Sequence, residues 1–222
     1  MAHERAIIFI GGDGPDSALA TPHLDGALVI AADSGWEHAV ALGARPHLLV
    51  GDMDSIDSAH LADADSGDTT IIRHPVDKDS TDLELAMRTA RDHGAHRIHV
   101  VSGGGDRFDH LLAMVHSIAA HADDAEVSAQ VGSSWIDVLT PRVHLKMVVP
   151  SGTTISLVPL GGHAKGVTTR GMKWELDRET LRSFESRGVS NISVDDEVRV
   201  SVRTGVLAVI RPGMDDEKGT GR

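Results

Sequence analysis

Short apolar runs that stop at glycine, aspartate or proline recur through the first 130 residues. Five of them are rich in Ile and Val and lack polar alternation, as is typical of strands buried on both faces: RAIIFIGG, ALVIAAD, HLLVGD, TTIIRHP and RIHVVSGGG. Three further segments have helical spacing: GWEHAVALG, TDLELAMRTARDHG and DHLLAMVHSIAAHA. Thr81 followed by Glu84 is a capping-box pattern, so the second helix is expected to begin near Asp82. Alternating strands and helices predict an α/β fold with a parallel sheet covered by helices.

The pattern changes after about residue 132. The stretch SWIDVLTPRVHLKMVVPSGTTISLVPLGG reads as several short β-type runs, and EVRVSVRTGVLAVI alternates polar and apolar residues across a turn expected at Thr204–Gly205. GMKWELDRETLRSF is expected to hold one short helix or an extended loop. We therefore predict an α/β domain over residues 1–132, a small all-β sandwich domain over 133–212, and a disordered tail over 213–222.

Composition narrows the class of protein. The 222-residue chain has a formal net charge of −12 and no cysteine. The absence of cysteine excludes disulfides, thiolate metal sites and cysteine nucleophiles, and fits a cytoplasmic protein. The acidic balance disfavours binding to nucleic acid or to an anionic membrane. No apolar run is long enough to predict a transmembrane helix, and the N-terminus lacks the pattern of a signal peptide.

Carboxylates follow most of the predicted strands. Because the carboxyl ends of parallel strands meet at one edge of a sheet, these side chains are expected to converge there. They would repel one another unless a cation lay among them, and oxygen ligands favour Mg²⁺ or Ca²⁺. If the GDMDS segment is extended, Asp52 and Asp54 point the same way and share one ion. The carboxylates are Asp33, Asp52, Asp54, Asp79, Asp82, Asp106 and Asp109.

Each of these carboxylates also has an ordinary structural explanation. Asp52 and Asp54 fit the caps of a turn, Asp82 fits the first turn of a helix, and Asp33 fits a helix cap before Trp36. Their placement on a single predicted edge is what favours a binding site.

The segment SGGGDRFDH, residues 102–110, adds a glycine-rich turn before a helix. Its backbone N–H groups can approach phosphate oxygens, and Arg107 could bind phosphate through two hydrogen bonds. Lys78 in DKDSTD is a possible point charge for phosphate. The chain has neither the GxxxxGK[ST] motif nor the GxGxxG motif. A nucleotide would therefore be held in neither of the two common ways.

Taken together, these segments resemble the thiamine pyrophosphokinase (thiamine diphosphokinase) family. The matching stretches are ADSGWEHAVALGARPHLLVGDMDSI, DKDSTDLELAM, GGGDRFDHLLAM, GTTISLVPLGG, GVTTRGMKWEL and GVSN, and they run in order over residues 5–211. The resemblance implies an α/β catalytic domain followed by a β-sandwich that binds thiamine. It also implies a homodimer with the thiamine site between subunits, and pyrophosphoryl transfer from ATP to thiamine that releases AMP.

The resemblance also implies roles for individual residues. Asp52, Asp54 and Asp82 would coordinate Mg²⁺ and act in catalysis with Arg107 and Asp109. Residues implied for the ATP site are Asp33, Ser34, Gly35, Lys78, Asp79, Thr81, Gly104 and Gly105. Trp174 would stack on the thiamine ring, and Ser190 and Asn191 would help bind its pyrimidine end. Ser34 stands where the family usually has glycine, and would either narrow the phosphate site or add a hydroxyl contact. Met53 stands where the family has an aromatic residue, which we interpret as a packing change.

Other functions fit parts of the pattern. The acidic edge would serve pyrophosphoryl transfer to another small alcohol, such as a hydroxymethylpterin, equally well. A non-catalytic nucleotide or thiamine sensor and a metal-dependent phosphatase are further alternatives. The segments MKW and VSN favour thiamine. Trp174, between two charged residues, is expected to be partly exposed, whereas Trp36 and Trp135 fit core packing better.

Overall fold

The computed structural model describes residues 3–15, 24–77, 79–105 and 107–213. The strands are β1 (Arg5–Phe9), β2 (Leu28–Ala32), β3 (Leu48–Gly51), β4 (Thr70–Arg73), β5 (Arg97–Ser102), β6 (Glu126–Val131), β7 (Ser134–Leu139), β8 (Leu145–Val148), β9 (Thr154–Arg170), β10 (Glu179–Leu181), β11 (Asn191–Ile192), β12 (Glu197–Ser201) and β13 (Thr204–Arg211). The helices are α1 (Gly35–Ala41), α2 (Ser58–Ser66), α3 (Asp82–Asp92) and α4 (Phe108–His121).

The first six strands form a parallel sheet in the order β4-β3-β2-β1-β5-β6. One face packs on α3 and α4 through a core that includes Ile8, Val50, Met87 and Ile118. The other face packs on α1 and α2 through smaller clusters that include Trp36. The predicted α/β class with a parallel sheet is confirmed.

The second part is β-rich and antiparallel, and it continues the same sheet. Strand β6 pairs with β7, β7 with β13, and β13 with β9, whose 17 residues also pair with β10, β11 and β12. Strand β13 lies between two cores, because Ala208 packs in the first core while Leu207 and Val209 pack in the second. The division at residues 132 and 133 stays a prediction.

Three local expectations differ from the structure. The turn expected at Thr204–Gly205 lies one to two residues earlier, and β12 and β13 pair with other strands instead of with each other. Of the two alternatives for GMKWELDRETLRSF, the structure has the extended loop and no helix, and it adds the short strand β10, which pairs with β9. The short runs expected before Thr154 are separate strands, but the run GTTISLVPLGG continues through Gly161 and Gly162 as the 17-residue strand β9.

No helix within the described ranges is long and apolar enough to cross a membrane. The predicted tail lies outside the described residues beyond Gly213.

Candidate active site

The acidic edge begins where β2 and β3 end. Asp33 directly follows β2, has a left-handed backbone with φ of 48°, and its N–H donates to the Val50 carbonyl of β3 at 3.0 Å. Met53 has φ of 67°, and the Asp54 N–H donates to Asp52 Oδ1 at 3.1 Å. The segment GDMDS is therefore a tight turn, and the expectation of an extended segment is wrong. Non-glycine residues held in left-handed conformations are strained, and such strain concentrates at functional sites.

The turn still brings the carboxylates together. Ligand oxygens of Asp33, Asp52 and Asp54 all lie within 4.8 Å of one another. Asp82, at the start of α3, lies against the same cluster. A Cβ atom at Gly51 would be 3.2 Å from Asp82 Oδ1 and 3.2 Å from Asp33 Cβ. A side chain at position 51 would therefore push into the cluster.

Burial and repulsion between neighbouring carboxylates both act on Asp33. Its side chain is buried, and Oδ1 has no hydrogen-bond partner within the described part of the chain. Burial raises the pKa of Asp33; a hydrogen bond from Ser55 opposes the rise, and the charges of Asp82, Asp52 and Asp54 add to it. A cation among these oxygens would relieve both the repulsion and the missing contact. The donor set, made only of carboxylate oxygens, suits Mg²⁺.

A cavity of about 460 Å³ lies beside the cluster. Glycine loops after β1 and β5 contribute Gly11, Gly12, Gly104 and Gly105 to its wall, and α4 contributes His110, Leu111 and Met114. The two loops are joined through their backbones, because the Gly103 N–H donates to the Asp13 carbonyl at 3.1 Å. A Cβ atom at Gly103 would lie 2.1 Å from that oxygen, so only glycine allows this approach.

Ser34 and Thr81 also line the cavity. A Cβ atom at Gly11 would lie 2.3 Å from Ser34 Oγ, so the serine side chain occupies space above the first glycine loop. Gly35 starts α1 against β1, with its Cβ position 2.1 Å from the Phe9 carbonyl oxygen. The Thr81 hydroxyl caps α3 by accepting the Glu84 N–H at 3.3 Å, which confirms the predicted helix start.

Other predicted residues lie differently. Arg107 lines the cavity, but its guanidinium donates to both oxygens of Asp109, at 2.9 and 2.7 Å. This hydrogen bonding holds the pKa of Asp109 well below its usual range. Asp109 and Asp79 are exposed, and neither is among the residues that line the cavity. Lys78 and Asp106 lie outside the described residues.

The residues implied for thiamine lie in the β-rich part. The Trp174 side chain is 54% exposed, and Lys173 Nζ is 4.8 Å from the centroid of its ring. Ser190 is exposed with φ of 58°, and Asn191 is buried. The structure confirms that Trp174 is exposed and Trp36 is buried. Trp135 is only half-buried and stacks on His99 at 4.5 Å between ring centroids.

Sequence reasoning missed several residues of the site. Ser55, whose hydroxyl donates to Asp54 Oδ1 at 2.8 Å, and the pair Gly11–Gly12 all line the cavity. The glycine pair follows β1 as the acidic residues follow the other strands, so its position at a strand end was the signal that could have identified it. The α4 residues His110, Leu111 and Met114 carried no such signal, since helical spacing alone does not show which side faces a cleft.

The structure thus defines a two-part α/β protein with a carboxylate cluster suited to a cation beside a glycine-walled cleft. Family models match both parts of the chain. The model described as thiamin pyrophosphokinase, catalytic domain, matches residues 24–129, and the one described as thiamin pyrophosphokinase, vitamin B1 binding domain, matches residues 142–207. The chain belongs to the thiamine pyrophosphokinase family.

Individual relatives agree with the family models. Thiamine pyrophosphokinase 2 of Arabidopsis thaliana is 25% identical over 176 residues, which is 75% of this chain and 65% of the plant protein. The chain thus spans slightly less than two thirds of that relative. The crystal structure of thiamine pyrophosphokinase from Bacillus subtilis has a TM-score of 0.81 and 22% identity, covering 95% of this chain and 99% of that one. Thiamin pyrophosphokinase from Candida albicans has a TM-score of 0.77 and 14% identity, covering 95% and 89%. At these identities the two structures support the fold.

Proposed function

We propose that this protein transfers a pyrophosphoryl group from ATP to the hydroxyl of thiamine, giving thiamine diphosphate and AMP. The observation that carries the proposal is the convergence of Asp33, Asp52, Asp54 and Asp82 beside the glycine-walled cavity. Membership of the thiamine pyrophosphokinase family supports the choice of ATP and thiamine.

Asp52, Asp54 and Asp82 are the residues that would hold Mg²⁺, with Asp33 beside them. The buried Oδ1 of Asp33, which has no hydrogen-bond partner among the described residues, and the raised pKa of this residue fit a site built to receive positive charge. When bound, the ion would neutralise charge on the transferring phosphates and orient them.

The cavity would receive the phosphates of ATP. The Gly104 N–H donates to Ser102 Oγ at 3.1 Å, so we propose the Gly105 N–H as the group of this loop that reaches a phosphate oxygen. Arg107 lines the same cavity and offers a guanidinium group for a two-point contact, which would require it to share or leave Asp109. Ser34 and Thr81 line the same cavity, and Gly35 is proposed with them on the strength of the family resemblance alone. We propose the exposed Asp79 and the neighbouring Lys78 as further ATP contacts on the strength of the family resemblance alone.

The transfer needs positioning more than special side-chain chemistry. The hydroxyl oxygen of thiamine forms a bond to the β-phosphorus of ATP as the bond from that phosphorus to the oxygen shared with the α-phosphate breaks. AMP leaves with that oxygen, and the hydroxyl proton is released. The chain's contribution is to hold the two substrates in line and to exclude water, for which such enzymes depend on rigid loops. The backbone contact between the two glycine loops supplies that rigidity.

Trp174 would bind the thiamine ring through its exposed face. The ring of thiamine is flat and cationic, and a tryptophan face attracts such a ligand by about 0.5–2 kcal/mol. Lys173 already lies over this ring at 4.8 Å from its centroid, so the indole is placed where a cation can approach it. The exposed Ser190 is close in sequence to the segment that holds Trp174 and is proposed as a second contact.

We also propose a homodimer with the thiamine site between subunits, as the family resemblance implies. Exposed apolar side chains support an interface, namely Phe108 and Leu112 on α4 and Phe184 and Val194 in the β-rich part. Sedimentation at several concentrations would test this proposal, and a monomer at all concentrations would refute it. Cytoplasmic location stays a prediction.

The activity is tested by incubating the protein with ATP and Mg²⁺, with and without thiamine. We expect thiamine diphosphate and AMP in equal amounts, and only when thiamine is present. Release of inorganic phosphate without thiamine would indicate a phosphatase. Thiamine binding without AMP formation would indicate a sensor. Transfer to a hydroxymethylpterin but not to thiamine would show that the acceptor substrate is the pterin alcohol and not thiamine.

A further inference from the structure

The backbone of Trp174 is held by the side chain of Asn191, the only asparagine in the chain. The Trp174 N–H donates to Asn191 Oδ1 at 3.2 Å, and Asn191 Nδ2 donates to the Trp174 carbonyl at 2.8 Å. Both polar groups of one peptide residue are thus bound by one amide, although the two residues are 17 positions apart.

The amide of Asn191 has little capacity left for a ligand. Oδ1 also accepts the Ile192 N–H at 2.8 Å, so both of its acceptor positions are used. The residue is 4% exposed, and this leaves almost no surface for a ligand to touch. A direct contact to the pyrimidine of thiamine, as the resemblance implied, does not fit this burial.

Hydrogen bonds also hold the backbone of the residues around Trp174, whereas the indole ring of Trp174 lies at the surface. The Lys173 N–H donates to the Ile192 carbonyl at 2.8 Å, and the Gly171 N–H donates to Glu175 Oε1 at 2.9 Å. After Trp174, the Leu176 N–H donates to Oγ1 of Thr169 in β9 at 2.9 Å. Trp174 is more than half exposed, and Lys173 Nζ lies over its ring. The backbone is therefore held while the aromatic ring stays at the surface.

We infer that Asn191 is a positioning residue, which holds Trp174 in the orientation that receives the ligand and does not itself touch it. The inference rests on the proposed function, because it takes thiamine as the ligand of Trp174. Holding the backbone of Trp174 in place before the ligand arrives lowers the entropy cost of binding. Because Asn191 acts through that backbone, its loss should weaken binding only through Trp174.

The first test needs no ligand. In the Asn191→Ala variant, hydrogen exchange of the amides of residues 173–175 should become at least about tenfold faster, because the local opening free energy falls. Ser193→Ala is the matched control. The Ser193 hydroxyl is buried and makes two hydrogen bonds, donating to the Pro150 carbonyl and accepting the Thr153 N–H. Its backbone bridges Met172, so the control lies beside the same segment while its two hydroxyl bonds hold a different one. Unchanged exchange in Asn191→Ala, or equal acceleration in Ser193→Ala, would overturn the inference.

The second test is a double-mutant cycle on thiamine affinity, measured by calorimetry. We expect Trp174→Ala and Asn191→Ala each to weaken binding about tenfold, and the double variant to be no weaker than Trp174→Ala alone. Additive losses would show that Asn191 makes a contact of its own, and would overturn the inference.

A second variant and the exchange measurement cover the cases in which Asn191→Ala does not fold or thiamine does not bind. If Asn191→Ala does not fold, Asn191→Asp retains both accepted hydrogen bonds, loses the one donated to Trp174 and sets an oxygen against the Trp174 carbonyl, so it should act in the same directions. If the wild-type protein binds no thiamine, the proposed function fails, while the exchange measurement still decides whether Asn191 fixes Trp174.

Discussion

At the scale of single residues, the carboxylate cluster that would bind a cation also lowers the stability of the folded protein when no cation is bound. Asp33 is buried with one oxygen lacking a partner in the described residues, and burial together with nearby carboxylates raises its pKa. An ionised group in such a place costs the folded state free energy, and a protein keeps it only where it serves a function.

We therefore expect Asp33→Asn to stabilise the protein in the absence of Mg²⁺, by about 1 kcal/mol or about 2–4 °C in Tm at neutral pH. Because the folded-state pKa is raised, the cost of Asp33 is present above that pKa and vanishes below the ordinary pKa of aspartate, where both states are protonated. Thermal melts at neutral and strongly acidic pH check this. Added Mg²⁺ should raise the Tm of the wild type more than that of the variant. A variant that is less stable than wild type at neutral pH would contradict the account.

Asp54 is exposed, accepts a hydrogen bond from Ser55 Oγ and donates its N–H to Asp52 within the same turn, so its removal should leave the fold intact. We expect Asp54→Asn to lower AMP formation at least about a hundredfold with little change in Tm, because a charge that holds the metal is lost. Asp57→Asn is the control, since asparagine serves equally well at the N-cap of α2 that Asp57 occupies. Near-normal AMP formation by Asp54→Asn would remove it from the metal site.

At the scale of elements, the parts of the fold that follow from local pattern were predictable. Strands β1 to β5 and helix α3 have apolar runs, a capping box and glycine stops, and all are confirmed. Helix α2 was missed because it buries only Ala64 and so lacks an apolar face. The convergence of carboxylates followed from parallel topology. The inward side chain of Asn191 did not, because a hydrogen bond to a residue 17 positions away holds it. The left-handed backbone of Met53 did not either, because nothing in the GDMDS pattern marks it.

The two glycine loops form one unit at this scale, and Gly103 should be critical to it. A Cβ atom there would lie 2.1 Å from the Asp13 carbonyl and 2.3 Å from the Gly14 carbonyl, so Gly103→Ala must push the loops apart. We expect kcat/KM for ATP to fall at least about tenfold, since small displacements of positioning groups are costly. Gly14→Ala is the matched control in the same loop pair, because no atom of the described residues lies within 4 Å of its Cβ position. Equal activity of the two variants would show that the loop contact does not shape the site.

At the scale of the whole molecule, one continuous sheet joins the two cores. The side chains of Ile136, Val138 and Ala208 come from the β-rich part, yet they pack in the core under α3 and α4. Neighbouring residues of β13 face the second core. Neither part buries its apolar surface without strands that the other also uses. The two parts are therefore expected to be coupled in stability.

This coupling predicts a single unfolding transition, although two family models match the chain. Ile98→Ala removes a side chain from the first core and Leu157→Ala removes one from the second, each at a cost of about 2–5 kcal/mol. If the cores unfold together, each variant should lower the Tm of the one transition by several degrees, with circular dichroism and tryptophan fluorescence changing in parallel. Calorimetry should give equal calorimetric and van't Hoff enthalpies. Two separate transitions, of which each substitution moves only one, would mean that the shared strand β13 does not transmit stability between the cores.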